Sequence, residues 1–182
     1  MKTLILNGSP RKNGNTVSLI NILSSSLKGE CKIIDTYYAN ISPCLDCRFC
    51  HKNQGCAITD EMYEIYKYIE NCDNIVVASP IYFTQLTGKL LDFCSRFQTY
   101  FSATNFRKNP VKIKPKKGAV ILVGAGKGDP LTAYYTATCI LHQINTFDIH
   151  PLALSFNTDV LPAIEDQNTL NQIQNISNFF NS

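Results

Sequence analysis

The strongest constraint on this chain is a repeated unit: a short, unbroken apolar run stops at a cluster of glycine, proline or small polar residues and gives way to helical spacing. Thr3-Leu4-Ile5-Leu6 stops at Asn7-Gly8-Ser9-Pro10, and Val17, Ile20, Leu23 and Leu27 then recur at helical intervals up to Gly29. Asn74 to Ala78, with Ile75-Val76-Val77 at its centre, ends in Ser79-Pro80-Ile81-Tyr82-Phe83 and precedes a helical face of Leu90, Cys94, Phe97 and Phe101. Ala119-Val120-Ile121-Leu122-Val123 runs into Gly124-Ala125-Gly126-Lys127-Gly128, after which Asp129 and Pro130 suit an N-cap and a first helical position. Strands that are apolar on both faces belong to a parallel sheet with helices on each side.

Cys31-Lys32-Ile33-Ile34 supplies a weaker second strand and Leu152-Ala153-Leu154-Ser155-Phe156 a fifth. Between strands two and three a cysteine-bearing loop without periodicity lasts until Thr59 or Asp60 can cap a helix striped with Met62, Ile65, Ile69 and Cys72. Leu170, Ile173, Ile176 and Phe180 mark a terminal helix. Five such units predict an α/β, flavodoxin-like three-layer sandwich over residues 1–182, with a five-stranded parallel sheet in the order 2-1-3-4-5. No repeat or linker divides the chain, and 182 residues at 45% hydrophobic content can bury one sizeable core. In this strand order a ligand sits beyond the carboxyl ends of the strands, at the crevice between strands one and three.

Charged residues make up only 17% of the chain and the formal net charge is +3, too mild for a nucleic-acid surface. No apolar run approaches the roughly 18 residues of a membrane span, and the N-terminus opens straight into strand one without a charged region and cleavage site. A cytoplasmic protein with no nucleic-acid or membrane partner is expected. Residues 102–117, with Arg107, Lys108, Lys112, Lys114, Lys116 and Lys117 among two prolines, read as a solvated surface loop, or as a lure for nicotinamide phosphates or an acidic electron-transfer partner.

The loop Gly8 to Thr16 offers hydroxyls, a guanidinium and free N–H groups at a helix N-terminus, which together suit an anion. Five residues separate Gly8 from Gly14 and Asn15 stands where a Walker lysine would, while Pro10 occupies the second glycine position of a dinucleotide fingerprint. A single phosphate suits the loop better, although an ordinary polar turn has the same composition. Pro80 to Phe83 would lie beside it, offering a flat ring an aromatic and polar border or merely packing against the core. The loop 124–128 lets such a ring approach its backbone.

Four of the eight cysteines, Cys44, Cys47, Cys50 and Cys56, fall within residues 43–57, while Cys31, Cys72, Cys94 and Cys139 lie in predicted regular elements as small apolar packing groups. In a reducing compartment such a concentration points to metal binding or catalysis rather than disulfides. A tight loop can turn four successive thiolates toward the corners of one cubane. Tetrahedral zinc and free thiols remain open, and His51 is either an alternative ligand or a solvated side chain.

Gly8-Ser9-Pro10-Arg11, Gly14-Asn15-Thr16 and Ser79-Pro80-Ile81-Tyr82, with Gly88-Lys89-Leu90-Leu91-Asp92 downstream, resemble the signatures of the NAD(P)H-dependent FMN reductase family. Cys44-x2-Cys47-x2-Cys50-x5-Cys56 is similar to the compact motif of its iron-sulfur flavoprotein branch, which carries a 4Fe-4S cluster beside FMN. The resemblance implies that Ser9, Arg11, Asn15 and Thr16 hold the FMN phosphate and that Pro80, Ile81, Tyr82, Phe83, Gly124, Ala125 and Gly126 border the isoalloxazine. Cys44, Cys47, Cys50 and Cys56 would be the metal ligands. It further implies a homodimer or homotetramer whose flavin and cluster communicate between subunits.

The expected function is that of an FMN-dependent oxidoreductase, drawing electrons from NAD(P)H or a reduced carrier protein through FMN and a 4Fe-4S cluster to an acceptor. The flavin carries the chemistry, so no catalytic acid or base is required of the protein. A non-enzymatic electron carrier or redox sensor, and a cofactor-free zinc-bearing interaction domain, are the rival readings.

Overall fold

The computed structural model describes residues 1–182. In chain order its elements are β1 (Lys2–Asn7), α1 (Asn15–Ser26), β2 (Glu30–Asp35), α2 (Phe49–Lys52), α3 (Met62–Asn71), β3 (Asn74–Pro80), α4 (Gly88–Ser95) and α5 (Gln98–Asn105). They continue with β4 (Lys117–Val123), α6 (Leu131–Gln143), β5 (Asp148–Ile149), β6 (Ala153–Ser155) and α7 (Gln167–Asn181). The sheet runs β2-β1-β3-β4-β5, with β6 also paired to β4 and every pairing parallel. This is the flavodoxin-like order that the pattern predicts.

Alternate residues of the central strands feed two cores. Leu4, Leu6, Ile75, Val77, Val120 and Leu122 pack under α3, α4, α5 and α6, whose Ile65, Leu90, Tyr100 and Leu141 close one layer. Ile5, Val76, Ala78, Ala119 and Ile121 face α1 and α7, where Leu19, Leu23, Ile173 and Phe180 close the other. Burial on both faces explains why these strands read as continuous apolar runs.

Four expectations are corrected. The single fifth strand is two fragments along β4, interrupted at His150-Pro151-Leu152, because proline cannot donate to a ladder. The helix following β3 breaks after Ser95 into α4 and α5, and Phe101 lies exposed rather than on the core stripe. The cysteine segment is not wholly irregular, since Phe49–Lys52 forms one helical turn. Finally, the 102–117 stretch is helical up to Asn105 and its Lys116 is buried, with Nζ donating to the carbonyls of Lys114 (2.6 Å) and Ile144 (3.2 Å).

Candidate functional site

Adjacency of β1, β3 and β4 brings the loops after them to one edge of the sheet. Gly8 is fixed there by its N–H to Ala78 O (2.8 Å) and by Thr87 Oγ1, which donates to Gly8 O (2.8 Å). A Cβ at Gly8 would lie 2.8 Å from Leu90 Cδ2 and 2.9 Å from Thr87 Oγ1, so the close approach of α4 requires glycine. Asn7 accepts the Ser9 N–H at 2.9 Å, and the buried Ser9 Oγ accepts the Arg11 N–H at 3.2 Å, curling the chain toward the start of α1.

Gly14 caps α1 without a side-chain hydrogen bond, and no acidic residue occupies the first turn. The N–H groups of Asn15, Thr16 and Val17 have no backbone acceptor. Such orphan donors at the positive end of a helix suit an anion. This end of α1 borders a cleft of about 220 Å³ lined by Ser9 and Arg11 from the first loop, Asn15 and Thr16 from the first turn of α1, and Pro80, Ile81 and Tyr82 at the end of β3 and beyond it. Val123 and Ala125 complete it after β4, with Thr158 and Asp159 from the segment after β6.

Four expected residues sit differently. Phe83 is fully exposed at the tip of a two-residue turn closed by the Tyr82–Gln85 bridge, and both Phe83 and Thr84 adopt positive φ (51° and 61°). Gly124 is covered by Phe156, whose ring would lie 2.5 Å from an added Cβ, and Gly126 points into open space. Asn15 lines the cleft, but its Oδ1 accepts the Ala163 N–H at 2.9 Å, tying α1 to the 156–166 segment. Thr158 and Asp159 were beyond sequence reasoning: they lie far from the other loops along the chain and in no periodic element.

The cysteine segment forms a second centre. Cys44, Cys47, Cys50 and Cys56 line one cavity of about 40 Å³ together with Arg96, Thr99 and Ser102 from the α4–α5 junction and α5. Its loop is pinned from both sides. The Cys44 N–H donates to Ser95 Oγ (2.9 Å), the Cys50 thiol to Ser102 Oγ (3.3 Å), and Arg107 Nη1 to the carbonyls of Cys50 (2.6 Å) and Asn53 (2.8 Å). His51 stacks on Phe106 at 3.8 Å.

No three His, Cys, Asp or Glu side chains converge in ligand geometry. The donor set nevertheless fits a thiophilic metal group, because four thiols from one segment share a cavity. The cavity has room for an ion, so a cubane requires the segment to relax outward, where Cys47 is already exposed. Beside the cavity the Arg96 guanidinium pairs with Asp60 at 2.6 and 3.3 Å. Burial works against the Asp60 carboxylate, but Arg96 and the Ser42 and Met62 N–H donors overcome it and hold its pKa below the usual value.

Of the scattered cysteines, Cys72 and Cys94 are buried, and burial pushes the thiol of Cys72 up to about 11 and that of Cys94 higher still. Cys31 is half-buried, with its thiol also raised by burial. Cys139 corrects the expectation of a core residue: it is exposed on α6.

The model of the family described as NADPH-dependent FMN reductase matches residues 1–160. An iron-sulfur flavoprotein of Methanocaldococcus jannaschii is 27% identical over 162 residues, covering 87% of this chain and 78% of that protein. One from Archaeoglobus fulgidus is 29% identical over 133 residues, covering 71% of this chain but only 57% of its own length. Another, from Methanosarcina thermophila, is 29% identical over 130 residues, covering 70% and 65%. Among solved structures, an NAD(P)H:quinone oxidoreductase from Methanothermobacter marburgensis superposes with a TM-score of 0.73 at 15% identity, covering 98% of this chain and 96% of that one. An FMN-dependent NADH-azoreductase from Bacillus anthracis, in complex with FMN, gives 0.70 at 13% identity over 100% and 99%. These two likenesses carry the fold alone.

Proposed function

Because the chain belongs to the NADPH-dependent FMN reductase family, we propose that it is an FMN-dependent oxidoreductase that takes electrons from NAD(P)H or a reduced carrier and passes them, by way of a 4Fe-4S cluster, to an acceptor. The observation that carries this reading is the cleft at the carboxyl edge of the sheet, where unpaired N–H groups of α1 meet the ends of β3 and β4.

In this reading the N–H groups of Asn15 to Val17, the Ser9 and Thr16 hydroxyls and the Arg11 guanidinium hold the FMN phosphate. Pro80, Ile81, Tyr82, Val123 and Ala125 border the ring and exclude water from it. FMN, when bound, supplies hydride acceptance and one-electron release. Cys44, Cys47, Cys50 and Cys56 are the ligands for the cluster, a choice over zinc that rests on relatives named iron-sulfur flavoproteins. Assembly as a homodimer or homotetramer is supported by exposed Phe83, Val160 and Leu161 next to residues that line the cleft, and by exposed Leu131 at the start of α6.

Anaerobic purification tests the proposal. We expect heat-released FMN, iron and acid-labile sulfide, and steady-state oxidation of NADH or NADPH with quinone, ferric or flavin acceptors. FAD or no flavin would overturn the cleft assignment. Zinc without sulfide would overturn the cluster, and bound flavin without turnover would leave an electron carrier in place of an enzyme.

A further inference from the structure

The cysteine cavity has one wall that the four thiols do not explain. Arg96, at the junction of α4 and α5, is 2% exposed and lines the cavity with them. A guanidinium carries five N–H donors in a fixed fork. Nη1 donates to Ser42 O (2.9 Å) and Asp60 Oδ2 (2.6 Å), and Nη2 donates to Ile58 O (3.2 Å) and Asp60 Oδ1 (3.3 Å). Nε has no acceptor in the chain, and it is the one buried side-chain nitrogen or oxygen of which this is true.

Ser42, Ile58 and Asp60 flank the 44–56 segment on both sides, so the four engaged donors fix the plane of the guanidinium. The fifth cannot swing elsewhere. A buried donor without a partner is costly, and one on a residue that lines a thiol-lined cavity calls for an acceptor delivered by the cavity's occupant.

We propose that Arg96 Nε–H donates a hydrogen bond to a sulfur of the cysteine-held group, either a cysteine thiolate or an inorganic sulfide. The inference rests on the cluster reading above and goes beyond it by assigning a residue outside the motif to the cluster. On taking up one electron the cluster becomes one unit more negative with no bond made or broken. An N–H donor to sulfur strengthens with that charge, so it stabilises the reduced state and raises the reduction potential. Arg96 therefore has two tasks, closing the cysteine segment through Asp60 and setting the potential at which electrons enter.

The test uses the protein purified anaerobically with its cluster, in wild type and Arg96→Lys, with potentiometric titration followed by electron paramagnetic resonance. Lysine keeps the positive charge but has no Nε–H, and we expect the cluster midpoint to shift to lower potential. Should that variant not fold, the wild type alone decides: arginine labelled with ¹⁵N at Nε should give a ¹⁵N coupling in pulsed resonance of the reduced cluster. Where Arg96→Lys folds, that coupling should be lost. An unchanged midpoint in a folded Arg96→Lys, or no ¹⁵N coupling in a cluster-bearing wild type, overturns the proposal, as it would if Nε met only solvent. A wild type without iron and sulfide removes the cluster reading itself.

Discussion

Arg96 and Asp60 meet as a two-pronged ion pair, 2.6 and 3.3 Å apart, with side chains only 1% and 9% exposed. The pair joins the α4–α5 junction to the residues just before α3, and the cysteine segment is the chain between β2 and that clasp. Taking both charges out of water is costly, and the two carbonyls that Arg96 also holds help offset it.

Breaking the pair should therefore be severe. Asp60→Ala leaves a buried guanidinium uncompensated and is expected to lower unfolding stability by about 3–5 kcal/mol, read from denaturant midpoints. A loss under 1 kcal/mol would mean that the pair is not closed in solution.

The same pair sets an acid limit. Because Asp60 has its pKa depressed in the folded protein, its contribution is full above the unfolded value of about 3.9 and is lost as pH falls through the folded value. Asp60→Asn should be less stable at neutral pH and show a shallower decline of stability below about pH 5. Parallel stability curves for the two proteins would contradict this.

Gly8→Ala should disturb the cleft proposed for FMN from behind. Its Cβ would press on Leu90 and Thr87, and Thr87 holds Gly8 O in place. Overpacking of this kind costs about 1–3 kcal/mol. We expect that loss in thermal unfolding together with weaker FMN binding, whereas intact FMN affinity at reduced stability would show that the loop is set independently of α4.

Arg11→Ala and Thr16→Ala probe the proposed phosphate end. A charge-assisted contact is worth about 1.5–3 kcal/mol, roughly 10- to 100-fold in Kd, and a neutral hydroxyl about 0.5–1.5 kcal/mol. Arg11 is exposed, so its share should shrink at high salt. Fluorescence titration of the apoprotein checks both, and equal affinities for wild type and Arg11→Ala at low salt would remove Arg11 from the site.

The central strands and the turn that ends β1 were legible in the sequence because their signals are local. Ile75-Val76-Val77 is apolar on both faces, and Gly8-Ser9-Pro10 ends a strand within three residues. The break between α4 and α5 left no such mark: Leu90, Cys94 and Phe97 keep helical spacing across it. The single turn Phe49–Lys52 is too short for periodicity to reveal. Thr158 and Asp159 reach the cleft only because β6 pairs with β4, a contact no local pattern encodes. Gly124, taken as an open approach to the ring, is filled by Phe156 for a similar reason.

The remaining prediction separates the two centres. Cys44, Cys47, Cys50 and Cys56 share a cavity built from the β2–α3 connection and α5, whereas the cleft proposed for FMN is built from the loops after β1, β3, β4 and β6. Serine at any one of the four cysteines should lower iron and acid-labile sulfide while FMN stays bound. Cys50→Ser is the sharpest case, because a serine there can keep the hydrogen bond to Ser102 that the thiol makes and so spare the local fold. Cys94→Ser is the control: that thiol is on the buried face of α4, its ionisation suppressed by burial, and it lies in the apolar core and outside the cavity. Iron and sulfide unchanged in Cys50→Ser, or lost in a folded Cys94→Ser, would defeat the ligand assignment. Flavin lost from Cys50→Ser along with the iron would show that the two centres fold as one unit.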